Sequence, residues 1–130
     1  MPLWVCIMLD KEHLVFFDKM AQTAKIALAE VEGQEYTQAI VLLTSKGNEY
    51  CSVIENALSA EMTEEMRLIG ELDSSVSHIL CMWHSGAIDL PSYRFRKMLS
   101  ESNPDNRNAD IFVLTNNGYS QRTLSASMKN

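Results

Sequence analysis

The sequence predicts an α/β fold, in which a mixed β-sheet carries helices on its faces. Three observations lead to this prediction. Segments with helical periodicity alternate with short β-prone runs along the 130 residues. Two of the gaps between β-prone runs hold a helix, which allows the strands on either side to run parallel. A third gap holds only a short turn, which makes its two strands antiparallel.

The first half of the chain is predicted to form a helix and a β-hairpin. Apolar residues over positions 14–31 recur at spacings of three and four, which indicates an amphipathic helix that stops near Gly33. The apolar run 38–44 and the β-prone run 50–54 flank a Ser-Lys-Gly-Asn turn, which is typical of a hairpin. Residues 3–9 fit either a strand or an extra helical turn.

The second half continues the alternation, giving the order α-β-β-α-β-α-β. A stripe of methionine, isoleucine and leucine over residues 62–72 predicts a helix. Residues 77–83 are apolar throughout, which predicts a buried central strand. Pro91 opens a third helix, and the polar stretch 100–108 is predicted to be a loop. A strand at 110–115 precedes a short final element.

Length, charge and cysteine content limit the classes of function. A chain of 130 residues without repeats or a Pro- or Gly-rich linker predicts one domain over residues 1–130. The net charge of -6 argues against nucleic acid and anionic membranes as partners, because both would be repelled. Residues 3–9 are too short to span a bilayer, and no basic residue precedes them. The three cysteines form no CxxC pair, which suits a reducing compartment, so we expect a cytoplasmic protein.

Glu65 is the first candidate for chemistry. Helical geometry places it inside the apolar stripe of the helix at 62–72, while Glu64 points to the opposite side. A carboxylate on a core-facing stripe must be paired, protonated or functional. Two interpretations stay open: a stripe-edge glutamate that reaches water or an arginine, and an acid/base group whose pKa is raised by burial.

His84 is the second candidate. It follows the central strand and precedes a Ser-Gly turn, at the end of an α/β sheet where ligands bind. It is either a catalytic group or a loop-facing histidine at the rim of the sheet. His78 and His84 share one face of the strand and Cys81 the other, so the H-x-x-C-x-x-H spacing does not converge on a metal. The sequence contains no P-loop, G-x-G-x-x-G, G-x-S-x-G or H-E-x-x-H motif.

Three short strings occur in an order that carries a family resemblance. Residues 53–57 (VIENA), 63–65 (TEE) and 91–96 (PSYRFR) fall where small tetrameric cytidine deaminases have N-x-E-N-A, C-A-E and P-C-G-x-C-R. Over residues 14–126 the chain therefore resembles this family, whose relatives include the blasticidin S deaminases. The resemblance implies a three-layer α-β-α fold with a mixed sheet of about five strands and helices on both faces. It also implies a zinc cofactor, a nucleoside substrate and assembly into a homo-oligomer, a dimer or tetramer.

The departures from the family pattern concern the zinc. By the resemblance, Thr63, Ser92 and Phe95 stand at the three ligand positions, and Glu65 stands at the position of the proton shuttle. A hydroxyl is a poor zinc ligand and a phenyl ring is none. Aligning Glu64 with the first ligand position would recover only one carboxylate. Without zinc, the pKa of the attacking water stays far above neutral instead of falling to ~7. We therefore expect no zinc and no zinc-dependent deamination.

The sequence favours a non-catalytic deaminase-like protein and leaves an enzyme open. In the first hypothesis Glu55 persists as a hydroxyl-binding carboxylate for a nucleoside-like ligand, Glu65 is vestigial, and Phe95 either stacks on a flat ring or packs the site shut. The alternative is a deaminase or hydrolase with an atypical site built on Glu65 and His84. A second alternative is an acidic protein-binding module, such as a toxin-neutralising partner. Exposed apolar candidates for the oligomer contacts are Trp4, Phe16 and Tyr93.

Overall fold

The structure is a computed structural model that describes residues 11–55, 69, 73–115 and 118–128. The predicted alternation of helices and strands is confirmed over these residues. The elements are α1 (Lys11–Ala29), β1 (Gln38–Thr44), β2 (Glu49–Ile54), β3 (Val76–Trp83), β4 (Ile88–Asp89), α2 (Tyr93–Ser102), a 3-10 helix (Pro104–Asn108), β5 (Asp110–Thr115), β6 (Gly118–Thr123) and α3 (Leu124–Ser127).

The strands form one mixed sheet in the order β2-β1-β3-β5-β6, and the two-residue strand β4 pairs with β3. Strands β3 and β5 are parallel, and every other pair is antiparallel. Because β2 and β3 both run antiparallel to β1, they are parallel to each other on its two sides. The helix α2 lies in the chain between β3 and β5, which is the predicted strand–helix–strand crossover.

Each face of the sheet has its own hydrophobic core. On one face, which we call the α1 face, residues of α1 such as Met20 and Ala24 pack against Leu80 and Phe112 of the sheet. On the opposite face, which we call the α2 face, Phe95 and Leu99 pack against four side chains of the sheet: Ile40, Ile79, Cys81 and Ile111. Helices therefore cover both faces, as predicted. Every residue of β1 is buried, because this strand is covered on both sides.

The helix α1 ends earlier than its apolar spacing predicts. It ends at Ala29 rather than near Gly33, and Val31 is 38% exposed instead of continuing the buried stripe. The N–H of Val31 donates to the carbonyl of Leu28, three residues back. Such a bond tightens the final turn and turns the chain out of the helix. Val31 therefore leaves the apolar stripe although its sequence spacing fits it.

The polar stretch at 100–108 is more ordered in conformation than the predicted loop. The helix α2 runs through Ser102, and the 3-10 helix Pro104–Asn108 follows at once. The side chain of Asn103 accepts a hydrogen bond from the N–H of Asp105, which caps the 3-10 helix. Asn106 in this segment is only 1% exposed. The segment thus holds a buried polar side chain that its composition does not indicate.

Two predictions on secondary structure concern segments that the structure describes only at one residue or not at all. Residues 1–10, which fit a strand or a helical turn, are not among them. Of the helix predicted at 62–72, only Ile69 is described; it is helical, 3% exposed and part of the α2-face core. Among the described residues, no helix combines the length and the apolarity needed to cross a membrane.

Asp73 holds the start of β3 to the β1–β2 hairpin through hydrogen bonds. Its Oδ2 accepts from the Asn48 side-chain amide and from the Tyr50 hydroxyl, both at 2.8 Å, and its Oδ1 accepts from Ser74. The bond from Asn48, followed by those from the hydroxyls of Tyr50, Ser74 and Thr44, lowers the pKa of Asp73 below its ordinary range. The bond to Asp73 is the largest of the effects that raise the pKa of Tyr50.

The signs of these two pKa shifts set a pH window for the contact. Asp73 has a lowered pKa, so its contribution to stability is present above about pH 4 and is lost as the pH falls through the folded pKa. Tyr50 has a raised pKa, so its contribution is present below about pH 10 and is lost as the pH rises through the folded pKa. The contact is therefore complete between these limits and weakens beyond either one.

Replacing Tyr50 with phenylalanine is expected to remove a tyrosine whose ionisation is shifted to higher pH. In an absorbance titration at alkaline pH, the wild-type curve should show a high-pH step that is missing from the Tyr50→Phe variant. The matched control is Tyr36→Phe, since Tyr36 is exposed and should leave that step in place. A high-pH step that persists in Tyr50→Phe would show that the contact with Asp73 does not form in solution.

Candidate functional site

Two of the residues that sequence reasoning singled out, Glu55 and His84, lie at one end of the sheet, next to Thr37. This threonine is 2% exposed. Its Oγ1 donates to the carbonyl of Glu55 at 3.0 Å and accepts from the N–H of Gln34 at 2.9 Å. Its carbonyl accepts from the N–H of His84 at 2.8 Å. One buried residue thus fixes the backbones of Glu55 and His84 at the same sheet end, the first through its side chain and the second through its carbonyl.

The His84 side chain is exposed and lies on the α1 face. It lines a cavity of about 250 Å³ together with Lys25, Leu28 and Met82. Its ring also lies against Gly33: a Cβ on that residue would be 1.8 Å from Cδ2 of His84. Only glycine therefore leaves room for the ring in this position. Sequence reasoning treated this glycine only as the end of a helix.

Ser92 and Phe95 begin the helix α2 on the α2 face. The Oγ of Ser92 accepts a hydrogen bond from the N–H of Phe95 at 3.2 Å, which makes Ser92 the N-cap of the helix. The Phe95 ring is 4% exposed and packs in a core that includes Ile40, Cys81 and Ile111. Ser92 is therefore a helix cap, and Phe95 is part of the core.

Arg96 ties the helix α2 to the end of the chain. Its Nε donates to the carbonyl of Pro91 at 3.0 Å, and its Nη1 donates to the carbonyl of Ser127 at 2.5 Å. Its guanidinium carbon lies 5.8 Å from the centre of the Tyr93 ring. No sequence pattern assigned a role to this residue, because its partners are backbone carbonyls that a sequence does not mark. Arg96 thus positions the start of α2 against α3.

Sequence reasoning placed Glu65 and Thr63 in the site, and both lie outside the described residues. The pairing of Glu65 with His84 therefore stays a prediction. Among the residues that are described, Glu55 is exposed directly after β2, while His84 lies on the face of the sheet opposite to Phe95. The structure brings together the backbones of Glu55 and His84, and it separates the His84 ring from the Phe95 ring by the thickness of the sheet.

The two described thiols are poor nucleophiles. Partial burial, followed by the negative charge of Glu49, raises the pKa of Cys51 to about 11. Burial, followed by the charge of Asp89, raises the pKa of Cys81 well above its ordinary range. Both thiols are therefore protonated at neutral pH, and a thiolate is the form that attacks or binds metal.

His78 and Cys81 of the H-x-x-C-x-x-H spacing lie on opposite faces of the strand β3, as strand geometry predicts. The His78 ring stacks on Phe112, which belongs to the α1-face core, with centroids 5.5 Å apart and planes 19° apart. Cys81 belongs to the α2-face core. The sheet therefore lies between these two side chains, and they share no metal.

The described residues that the sequence resemblance assigns to zinc-ligand positions do not fit a zinc ion. Zinc sites in proteins use thiolate, imidazole or carboxylate ligands. Ser92 offers a hydroxyl that already caps a helix, and Phe95 offers no donor atom. Within residues 11–55, 69, 73–115 and 118–128, no three His, Cys, Asp or Glu side chains form a group that could hold a metal ion. No reaction step through zinc can be built on this donor set.

Solved structures show which fold these elements form. No protein-family model matches the sequence, and no curated protein matches it. The crystal structure of cytidine deaminase from Mycobacterium leprae matches with a TM-score of 0.63 over 88% of this chain and 98% of that one, at 20% identity. The chain has the cytidine deaminase fold. Two mutant cytidine deaminases from Mycobacterium tuberculosis match with TM-scores of 0.61 and 0.63, over 84% of this chain and 91% and 88% of theirs, each at 15% identity.

The match confirms the predicted fold and carries no activity with it. At 15 to 20% identity the deaminases share an architecture with this chain, and one fold hosts many functions. Chemistry must therefore be argued from the side chains at the site. Those side chains are a helix cap, a core phenylalanine, an exposed glutamate and an exposed histidine on the other face of the sheet.

Proposed function

We propose that this protein has kept the deaminase fold without zinc-dependent deamination and acts as a ligand-binding or structural protein. The proposal rests on Phe95. This residue stands where the deaminases that the sequence resembles have a zinc-binding cysteine, and its ring is packed in the α2-face core with 4% of its surface exposed. A ring packed in this way takes up space that a metal and its water would need.

Zinc activates water far more strongly than a single side chain can. Zinc lowers the pKa of its bound water from ~15.7 to ~7, which makes hydroxide available at neutral pH. A general base accelerates proton transfer by about 10² to 10⁴-fold, which is well short of that difference. Glu65, even as a proton shuttle, would therefore act on water that is not activated. This argument supports a protein that binds rather than hydrolyses.

We further propose that Glu55 binds a hydroxyl of a nucleoside-like ligand. Its side chain is exposed, and its carbonyl is held by the buried hydroxyl of Thr37. A carboxylate whose backbone is fixed loses little freedom on binding, which favours a hydroxyl partner. With Phe95 in the core, the ring of such a ligand would need another surface on which to stack.

An enzyme that uses Glu65 and His84 is the competing proposal. The observation in its favour is that His84 is exposed at the sheet end that also holds Glu55. The observation against it is that the His84 ring lines a cavity of the α1 face, next to Leu28 and Met82. For its assembly and location, we propose a cytoplasmic homo-oligomer, a dimer or tetramer.

Metal analysis combined with a deamination assay tests this proposal. The purified protein is expected to contain substoichiometric zinc after growth with added zinc, and to leave cytidine and deoxycytidine unchanged. The cytidine deaminase from Mycobacterium leprae, purified and assayed in parallel, is the matched control because it shares the fold. One zinc per chain together with turnover would contradict the proposal, and it would mean that other side chains supply the ligands.

A further inference from the structure

The α1 face carries a cavity at the end of the sheet opposite to Thr37. Its volume is about 580 Å³, which lies within the range of about 300–1,000 Å³ typical of small-molecule sites. It opens between the first half of α1, the β1–β2 turn and the start of β3. Its apolar walls include Phe16, Met20 and Leu43, and its polar lining includes Lys19, Glu49 and His78. Apolar walls with a few polar groups are the usual composition of a ligand site.

Glu49, in the lining of this cavity, has one carboxylate oxygen that no donor of the described residues reaches. Its other oxygen, Oε1, lies 2.5 Å from the hydroxyl oxygen of Thr23, whose single proton is shared between Oε1 and the carbonyl of Lys19. The Oε2 of Glu49 is buried, and no hydrogen-bond donor among the described residues reaches it. A buried carboxylate oxygen without a partner is unfavourable, so such atoms usually mark a ligand, an ion or a water.

We propose that this cavity binds a small organic cation, with an apolar, flat body and a primary ammonium or amidinium group that donates to Glu49. The body lies against Phe16, Met20 and Leu43, and the N–H group supplies the donor that the carboxylate lacks. The net charge of -6 attracts cations to the protein and repels anions. Phe16, 38% exposed, offers an aromatic ring at the mouth of the cavity.

Lys19 determines how the ligand reaches the carboxylate. Glu49 Oε2 has almost no solvent-accessible area, so a lining side chain must move before a ligand can donate to it. Lys19 is exposed and lines the same cavity, and a lysine side chain has many accessible rotamers. Its ammonium is a positive charge in the lining, which disfavours a second cation in the cavity. Removing the charge of Lys19 is therefore expected to strengthen binding.

The test compares two probes of the same shape and different charge. 2-Naphthylmethylamine is a cation at neutral pH, and 2-naphthalenemethanol is its neutral counterpart; binding of both is followed by their fluorescence. The amine is expected to bind the wild-type protein about tenfold more tightly than the alcohol, because a charge-assisted hydrogen bond is worth about 1.5 kcal/mol or more. Equal affinities, or no saturable binding of the amine, would overturn the proposal.

Variants of cavity residues test whether the preference for the amine over the alcohol arises in this cavity. Glu49→Gln keeps the shape of the side chain and is expected to reduce the preference for the amine to about one, while Glu30→Gln, an exposed glutamate beyond the end of α1, should leave it unchanged. Lys19→Met should tighten amine binding by about two- to fivefold. If Glu49→Gln keeps the preference, or if Lys19→Met abolishes binding, the ammonium does not bind where we propose.

A further variant keeps the proposal testable if Glu49→Gln does not fold. Phe16→Ala removes part of the apolar wall and a partly exposed ring, so it should weaken both probes by a similar factor. The matched control is Ile26→Ala, which removes an exposed apolar side chain of the same helix outside the cavity. Unchanged binding of both probes to Phe16→Ala would overturn the proposal, because the ligand body would then lie elsewhere.

Discussion

Replacing Asn106 with alanine is expected to lower the free energy of unfolding by about 2–4 kcal/mol. The side-chain Oδ1 of Asn106 accepts from the N–H of Val76 at 2.7 Å, and its Nδ2 donates to the carbonyl of Leu99 at 2.9 Å. Both partners are buried, at 2% and 1% exposure. Alanine leaves the buried N–H of Val76 without its acceptor, which costs about 1–3 kcal/mol. It also removes one hydrogen bond to the carbonyl of Leu99, worth about 1 kcal/mol, although that carbonyl keeps the Ser102 hydroxyl as a donor.

Urea unfolding followed by circular dichroism measures this effect. Asn108→Ala is the matched control, because Asn108 is an exposed asparagine of the same 3-10 helix and its replacement should change the stability by less than about 0.5 kcal/mol. A cost below about 1 kcal/mol for Asn106→Ala would mean that water replaces the lost partners. In that case Asn106 would not be the connection that holds the 3-10 helix to the start of β3.

Asn106 also shows which part of the fold the sequence predicts and which part it does not. The strands β1, β3 and β5 and the helix α2 were predicted because their apolar spacing is local information. Asn106 lies in a stretch whose composition predicts a solvated loop, yet its partners are Leu99 and, thirty positions earlier, Val76. A hydrogen bond between distant segments leaves no periodic signal, so no reading of the local pattern finds it.

The same limit applies to the candidate site. The string 91–96 led to Ser92 and Phe95, because the family pattern marks their positions. Glu49 was not found, since its partner Thr23 lies 26 residues away on another element and nothing in either local sequence links them. Thr37, which joins Glu55 to His84, was missed for this reason too. Patterns locate candidate residues, while the connections that orient them depend on the tertiary structure.

Replacing Phe95 with alanine is expected to cost about 3–5 kcal/mol of unfolding free energy. The ring is 4% exposed and packs with residues of β1, β3 and β5, so its removal leaves a cavity between the helix α2 and the sheet. The cost comes from the lost transfer of the ring out of water and from the contacts that its neighbours lose. Unfolding in urea, monitored as for Asn106, gives the value.

Tyr93→Ala is the matched control for Phe95→Ala. Tyr93 lies on the same helix and is 55% exposed, so its replacement should cost at most about 1 kcal/mol, including its contact with Arg96. The comparison separates the two hypotheses for Phe95. A ring that serves as a platform for a ligand borders an open pocket, where alanine costs little stability and mainly weakens binding.

A large cost would mean that the position that the sequence resemblance assigns to a zinc ligand is part of the hydrophobic core. A metal at that position would then require the loss of several kcal/mol of packing, and a typical domain has only about 5–15 kcal/mol in total. Phe95→Cys is therefore expected to lose the core contact without gaining zinc, because its described neighbour Ser92 offers only a hydroxyl that caps the helix. A cost below about 1 kcal/mol would instead favour Phe95 as a ligand-contacting residue in an open pocket at this end of α2.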